Sequence, residues 1–260
     1  MNYQEASLQL KEALRLRTEP LGAAFLSDAA DLPEKTRRPS QVFGKKVTIC
    51  QGVTMARVYG WSMGLTLEDL ICVPAMLAFG LAPEPDPAQD LAGLFCEVGF
   101  HPEMGPALQE VETMTRFGPR EISAVYLAPL ERLALEPDVV LVYGNPAQLM
   151  RLILGATFGL GERAQGDFGG KVECSAYLIG PHKTGQVRVA LPGMGDRIFS
   201  MTQDDELVVS FPARSLEGIL KGLAEAGKKI GARYPITVYQ NFQPEFPKPY
   251  QERAKKWGIL

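Results

Sequence analysis

Apolar residues recur at helical spacing through the first third of the chain. Residues 6–16 show this spacing and predict an amphipathic helix, and the continuous apolar run at 21–26 predicts a buried strand. Helical spacing returns over 52–59. Thr66 is a good N-cap with acidic residues directly after it, which predicts a further helix that ends at Gly80.

The second half of the chain mixes β-rich runs with amphipathic helices. Asn145 and Pro146 have the residue types favoured at a helix N-cap and its first position, and residues 215–226 predict another helix. The runs that predict strands are residues 122–127, 139–143, 173–179, 186–190 and 207–211. Helices and strands do not alternate strictly. The order therefore predicts an α+β fold, with a mixed or antiparallel sheet or sheets flanked by helices.

Proline positions predict how the chain is organised. A proline-rich stretch at 83–88 is the best candidate for a boundary between two interlocked subdomains within a single unit that spans residues 1–260. Residues 234–260 carry several prolines among aromatic residues, and we expect this tail to be extended. The tail would then pack on its own body or clasp a second subunit, which makes a homo-oligomer one option.

Composition excludes several classes of protein. The 260 residues are 46% hydrophobic and 22% charged, as a packed globular chain requires. A net charge of -3 with no basic stripe argues against nucleic-acid binding. Since the first residues are amphipathic and charged, and no apolar stretch approaches ~20 residues, we expect no signal peptide and no membrane insertion. The expected location is the cytoplasm.

The chain has four cysteines and only two histidines. In a reducing compartment cysteines are commonly free, metal-bound or catalytic, and not paired as disulfides. No Walker motif, dinucleotide-binding glycine motif or His-Glu-x-x-His sequence is present. The chemistry of the protein therefore depends on how the cysteines are used.

Several short motifs resemble one family. They are Ile49-Cys50-Gln51 with Ala56, Thr66-x-Glu68-Asp69-x-x-Cys72 leading to Gly80-Leu81, Glu136-Pro137-Asp138-Val139-Val140, the run Gly144–Arg151 and the segment around Cys174. Together they are similar to domain of unknown function 169, the ArCR-like proteins of bacteria and archaea. The resemblance implies that Cys50, Cys72 and Cys174 stand at family cysteine positions, whereas Cys96 does not. Ala75 stands where family members often have glycine.

The resemblance to the family leads to a metal hypothesis. Thiolates are soft ligands for iron–sulfur clusters, copper(I) and zinc, and three cysteines would leave one iron of a cluster open to a substrate. We therefore predict an iron–sulfur cluster at Cys50, Cys72 and Cys174, with zinc as the alternative metal. The spacing of the three matches no compact ferredoxin or zinc finger. Buried structural thiols and a redox or nucleophilic thiol are the competing interpretations.

Four other residues are candidates for ligand binding, each with a structural alternative. Gln51 follows a cysteine and could hydrogen-bond a ligand, but a surface or backbone-capping amide is the favoured interpretation. Asn145 and Arg151 lie at a helix N-terminus, where an anion is favoured, although helix capping alone explains Asn145. Arg197 follows a glycine turn and would line a pocket or pair with Asp196, the second being favoured.

These observations predict a cytoplasmic protein that binds an iron–sulfur cluster or another thiophilic metal through three cysteines. An open site would suit a lyase or a redox enzyme, whereas full ligation would suit transfer of electrons to a protein partner. The alternative is a non-enzymatic module that binds a small ligand or a protein and whose cysteines are interior. It is motivated by the lack of any recognisable acid–base pair or nucleophile set in the sequence.

Overall fold

The fold was examined in a computed structural model that describes residues 2–83, 86–236, 240 and 245–259. Within these residues there are eleven α-helices and one sheet of seven strands. The helices are α1 (Tyr3–Leu14), α2 (Pro39–Val42), α3 (Ile49–Tyr59), α4 (Val73–Ala78), α5 (Pro87–Glu97), α6 (Met104–Thr113), α7 (Pro146–Leu160), α8 (Gly180–Thr184), α9 (Met194–Phe199), α10 (Leu216–Glu225) and α11 (Lys248–Lys256). The strands are β1 (Leu21–Leu26), β2 (Met63–Leu65), β3 (Ala124–Pro129), β4 (Val139–Gly144), β5 (Gln165–Asp167), β6 (Arg188–Ala190) and β7 (Leu207–Pro212).

The strands form a mixed sheet in the order β2-β3-β1-β4-β7-β6-β5. Every neighbouring pair is antiparallel except β5 and β6, which are parallel. Leu21 of β1 faces Pro129 of β3 on one side and Leu141 of β4 on the other. The sheet and its flanking helices confirm the α+β fold predicted from the sequence.

The central strand β4 divides the core into two layers. Side chains alternate between the faces of a strand, so Val139, Leu141 and Tyr143 point into one apolar cluster and Val140 and Val142 into the other. Helices α3 and α4 cover the first face, whereas α1, α7 and α10 cover the second. All six residues of β4 are buried, which explains why its sequence is a continuous apolar run.

Helices α5 and α6 pack against each other around Phe95 and form a smaller apolar cluster beside the first layer. The proline-rich boundary predicted at 83–88 overlaps the start of α5 at Pro87, and residues 84 and 85 lie outside the described residues. The division into subdomains stays a prediction.

Two local predictions differ from the structure. The apolar run at 173–179 was expected to be a strand but forms a π-helix over Ser175–Ile179, in which all five residues are buried. Periodicity cannot distinguish a short buried strand from a short buried helix. The helix expected to run on from Thr66 stops after one 3₁₀ turn. Cys72 then caps α4, because Pro74 suits the start of a new helix and not the interior of an old one.

The tail also contains more structure than its prolines suggest. Helix α11 begins directly after Pro247 and has Pro249 at its second position, where proline costs no intrahelical hydrogen bond. Among the described helices none is both long enough and apolar enough to cross a bilayer.

Candidate functional site

The three cysteines with family positions all lie on the α3 side of the sheet. Cys50 is the second residue of α3, Cys72 is the N-cap of α4, and Cys174 directly precedes the π-helix. The carboxyl group of Asp196, in α9, lies near enough to raise the pKa of each thiol. We call these four residues the cysteine cluster.

The thiols of the cysteine cluster are poor nucleophiles. Burial is the main cause that raises the pKa of Cys50 to about 11, and it raises the pKa of Cys174 well above its ordinary value. Burial also raises the pKa of Cys72, despite a hydrogen bond from the backbone N–H of Ala75. Since the thiolate is the reactive form, this environment disfavours the reactive form of all three cysteines.

The metal hypothesis is wrong. In the part of the chain that the structure describes, no group of three or more His, Cys, Asp or Glu side chains is arranged to hold a metal ion. Cys50, Cys72 and Cys174 therefore do not form a site for an iron–sulfur cluster or another thiophilic metal. The fourth cysteine, Cys96, lies apart from them in the α5–α6 cluster, with its sulfur 3.9 Å from the sulfur of Met104.

A buried polar network lies beneath the cysteine cluster. Arg57 of α3 donates to both carboxylate oxygens of Glu206, at 2.7 and 2.9 Å, and its guanidinium lies 4.1 Å from the ring centre of Tyr143. The Tyr177 hydroxyl donates to Asp196 at 2.8 Å, and the backbone N–H of Gly193 donates to the same carboxyl group at 3.0 Å. Among the polar atoms of these side chains only Nε of Arg57 is buried without a described hydrogen-bond partner. The network therefore explains a rigid core better than it explains a binding site.

Glu173 is the exception in this region. Its carboxyl group accepts hydrogen bonds from the backbone N–H groups of Gly169 and Gly170, yet no described cation pairs with it. Burial, with smaller contributions from Asp167 and Asp196, raises the pKa of Glu173 to about 7.

A second polar region lies on the opposite face of the sheet, where α1 and α10 end and α7 begins. A cavity of about 330 Å³ opens there. We call it the basic cavity and define it by its four cations, Arg15, Arg151, Lys228 and Arg233, together with Glu12 and Tyr234.

Close helix packing places Arg151 at the base of the basic cavity. Helices α7 and α10 cross with their backbones in contact, since a Cβ atom added at Gly222 would lie 2.0 Å from the carbonyl oxygen of Gly155. Arg151 lies one turn before Gly155. Its guanidinium donates to the carbonyl oxygens of Leu223 and of Ala226, the second at 2.7 Å, and so satisfies the C-terminal end of α10.

Arg15 occupies an unusual backbone conformation at the mouth of the cavity. It ends α1 with φ of 51°, in the left-handed region where glycine is the usual residue. Gln148 holds this turn in place, because its side-chain amide donates to the carbonyl oxygens of Leu14 and Arg15 at 2.8 and 2.9 Å. This left-handed conformation costs on the order of 1–2 kcal/mol for a residue with a Cβ atom.

The positive charges of the basic cavity are mostly uncompensated. Among the described residues, Arg15, Arg151 and Arg233 have no carboxylate partner within 4.0 Å, whereas Lys228 pairs with Glu225 at 2.7 Å. Arg151 is buried, and burial followed by the nearby charge of Arg233 lowers its pKa. Two like charges held close without an anion between them repel each other, so a bound anion would stabilise this arrangement.

The structure brings together only two of the four residues expected to bind a ligand. Arg151 lines the basic cavity, and Asn145 caps α7 while its amide donates to the Tyr234 hydroxyl at 3.3 Å. Gln51 forms a capping box with Thr48 on the other side of the sheet. Arg197 donates to the carbonyl oxygen of Gln203 at 2.6 Å.

The remaining members of the basic cavity carry no signal that sequence reasoning could use. Arg15 and Arg233 come from opposite ends of the chain, and neither stands in a recognisable motif. The pairing favoured for Arg197 was with Asp196, but Asp196 is buried and bonded to Tyr177. Glu206, which also stands in no recognisable motif, is the buried partner of Arg57.

Comparisons with known proteins identify relatives without an assigned activity. A family model described as DUF169, uncharacterised ArCR, matches residues 9–222. An uncharacterised protein of the archaeon Methanocaldococcus jannaschii is 24% identical over 175 residues, which are 67% of this chain and 75% of that protein. No solved structure matches the chain significantly.

Proposed function

Since the chain belongs to the DUF169 family of uncharacterised ArCR proteins, the family assigns no activity, and we propose a function from the basic cavity. The proposal is that the protein binds a small anion with at least two negative charges there. The observation that carries it is the set of three arginines without carboxylate partners, Arg15, Arg151 and Arg233, around a cavity of about 330 Å³.

The arrangement of the arginines suits an anion that enters from solvent. Arg151 is buried at the base and is fixed by the carbonyl groups of α10, so its charge cannot turn away to water. Arg15 and Arg233 are exposed at the mouth, where a guanidinium can close on an arriving ligand. Planar guanidinium groups favour carboxylate and phosphate oxygens, to which they donate two hydrogen bonds at once.

The backbone of Arg15 supports the same proposal. A glycine or asparagine at this position would cap α1 without strain, yet the chain places a long cation there. Strained conformations of this kind persist where the surrounding structure enforces them, and they cluster at ligand sites. The cost is explained if the side chain of Arg15 contributes to binding.

The size and polarity of the basic cavity indicate the class of ligand. A volume of about 330 Å³ lies at the small end of the ordinary range for ligand pockets, roughly 300–1,000 Å³. Tyr234 adds a hydroxyl group to the four cations, and Glu12 at the rim would repel a second acidic group placed near it. We infer a compact organic phosphate or polycarboxylate, and not a nucleic acid or an extended polymer.

Calorimetric titration tests the proposal. Pyrophosphate and citrate are titrated into the full chain at low ionic strength, and we expect saturable binding that weakens as salt is added, because exposed charges are screened. Arg233→Ala should weaken binding by about tenfold to a hundredfold, since a charged hydrogen bond contributes roughly 1.5–3 kcal/mol.

A matched control distinguishes the loss of an arginine from the cavity from the loss of one positive charge elsewhere on the protein. Arg17 is exposed, lies two residues from Arg15 and pairs with Asp205 outside the cavity. Arg17→Ala removes the same charge and should leave the affinity within about twofold of the parent. Equal losses in Arg17→Ala and Arg233→Ala, or no saturable binding of either anion, would refute the proposal.

A further inference from the structure

The tail carries an apolar face that the described body does not cover. Phe246, Tyr250, Trp257 and Ile259 are 49%, 57%, 66% and 68% exposed. Tyr250, Ala254 and Trp257 follow at the i, i+4 and i+7 spacing that places side chains on one face of α11. This face and its neighbours enclose an apolar cavity of about 360 Å³ lined by tail residues.

Helix α11 is also too short to be stable in isolation. It has nine residues, and helices below ~12–15 residues are marginal in water unless an amphipathic face is packed. Its remaining surface is basic, with Lys248, Arg253, Lys255 and Lys256 against Glu252, and none of the described residues forms an ion pair with these cations. The tail helix therefore requires a partner with an apolar, acidic surface.

The same chain has such a surface in its α4–α5–α6 region. A groove of about 560 Å³ runs there between apolar and acidic side chains. We call it the acidic groove and define it by Val73, Leu77, Leu94 and Met104 along its length and by Asp90 and Glu97 on α5. Val73 is 46% exposed.

Several features of the acidic groove suit a docked helix. Asp90 and Glu97 are seven residues apart and so lie on one face of α5, and both are exposed. Gly93 lies between them, and a Cβ atom added there would meet nothing within 4 Å, so the groove is open to a large side chain. No described cation pairs with Asp90 or Glu97.

From these complementary surfaces we infer that the tail helix of one copy docks in the acidic groove of a second copy. None of the tail residues that the structure describes lines the acidic groove of its own chain. Tyr250 and Trp257 would fill the apolar floor as anchors, while Arg253 and Lys256 face Asp90 and Glu97. Reciprocal exchange of the two tails closes a two-fold symmetric dimer and leaves neither surface exposed.

Paired charge reversals test this dimer directly. The tail variant is Arg253→Glu with Lys256→Glu, and the groove variant is Asp90→Lys with Glu97→Lys. The molecular mass of each full-length protein is measured by sedimentation over a wide range of concentrations. We expect the parent to dimerise and each variant alone to dimerise at least about tenfold more weakly, because like charges then meet at both contacts.

An equal mixture of the two variants supplies the decisive result. The reversed tail then meets the reversed groove, and the unchanged tail meets the unchanged groove, so we expect the mixture to recover dimers of parental strength. The control is Lys45→Glu with Lys46→Glu, which alters the charge equally on an exposed loop outside both surfaces. It should dimerise as the parent does.

The remaining outcomes overturn the inference. A parent that stays monomeric at every concentration excludes the dimer. If each variant of such a monomer is also less thermally stable than the parent, and combining the tail and groove reversals in one chain restores that stability, the tail docks on its own body. A dimer that persists in both variants uses another surface. Binding of the parent, but not of the tail variant, to phosphatidylserine vesicles without dimerisation would assign the tail helix to a lipid surface.

Discussion

The cysteine cluster and the basic cavity lie on opposite faces of one sheet and differ in how their polar groups are compensated. Beneath the cysteine cluster, Arg57 is paired with Glu206 and Tyr177 with Asp196, so the charges and hydroxyl groups satisfy one another. In the basic cavity, Arg15 and Arg233 have no carboxylate partner among the described residues.

Whether a polar group has a partner within the protein distinguishes groups with a structural role from groups that are available to bind a ligand. A buried network whose charged groups are already paired within the protein gains little from an added molecule, and most of its members would have to give up existing hydrogen bonds to bind one. A set of like charges without counter-charge is stabilised by any anion that fits. Residue type alone favours the cysteines as the functional residues. The absence of counter-charges around the arginines favours the arginines instead.

The largest expected effect on stability comes from unpairing a charge in the network beneath the cysteine cluster. Glu206→Gln leaves the buried guanidinium of Arg57 without its counter-charge, and we expect it to reduce the free energy of unfolding by about 3–5 kcal/mol. The free energy is measured by urea denaturation followed by circular dichroism.

Arg57→Met with Glu206→Leu is the matched control, because removing both charges leaves no uncompensated ion and should cost clearly less than the single change. A loss below about 1 kcal/mol in Glu206→Gln would show that the pair is not structural.

A smaller effect is expected from the uncompensated acid on the same side. Burial raises the pKa of Glu173 to about 7, above the ordinary value of 4.5. The folded state therefore binds this proton more tightly than the unfolded state does. The free energy of unfolding should fall by about 2–3 kcal/mol between pH 5 and pH 8, as the folded carboxyl group loses its proton.

Glu173→Gln should abolish this part of the pH dependence, since an amide keeps an oxygen acceptor for Gly169 and Gly170 but does not titrate. Urea denaturation of parent and variant at a series of pH values measures it. Parallel curves for the two proteins would show that Glu173 is not the titrating group.

The smallest expected effect on stability is at the basic cavity. Arg15→Gly relieves the left-handed strain at φ of 51°, while glycine also makes the unfolded chain more flexible. These contributions oppose each other, so we expect the free energy of unfolding to change by less than about 1 kcal/mol. Urea denaturation measures the change, and a larger loss would mean that the side chain of Arg15 has a structural role.

Much of the fold follows from local signals in the sequence. The apolar run at 139–143 forms β4, and Asn145 with Pro146 begins α7. Both could be predicted because burial of a strand and capping of a helix depend on residues that are adjacent in the sequence. The π-helix at Ser175–Ile179 was missed because a short, fully buried run carries no periodicity. The helix in the tail was missed because its prolines suggested extended chain.

The candidate site was only partly predictable, for a different reason. Asn145 and Arg151 were identified from their place at a helix N-terminus. Arg15 and Arg233 line one cavity with Arg151, and the cavity depends on tertiary contacts such as the close approach of Gly155 and Gly222, which no local pattern encodes. The cysteines attracted a metal hypothesis by residue type, and burial with raised pKa values is the property that the sequence did not show.

Titration of pyrophosphate into Arg15→Gly at low ionic strength, beside the parent and Arg17→Ala, tests the central claim most directly. We expect Arg15→Gly to bind at least about tenfold more weakly than the parent while its free energy of unfolding changes by less than about 1 kcal/mol, with Arg17→Ala close to the parent in both respects. An affinity in Arg15→Gly equal to that of the parent would contradict the assignment of the basic cavity as the binding site.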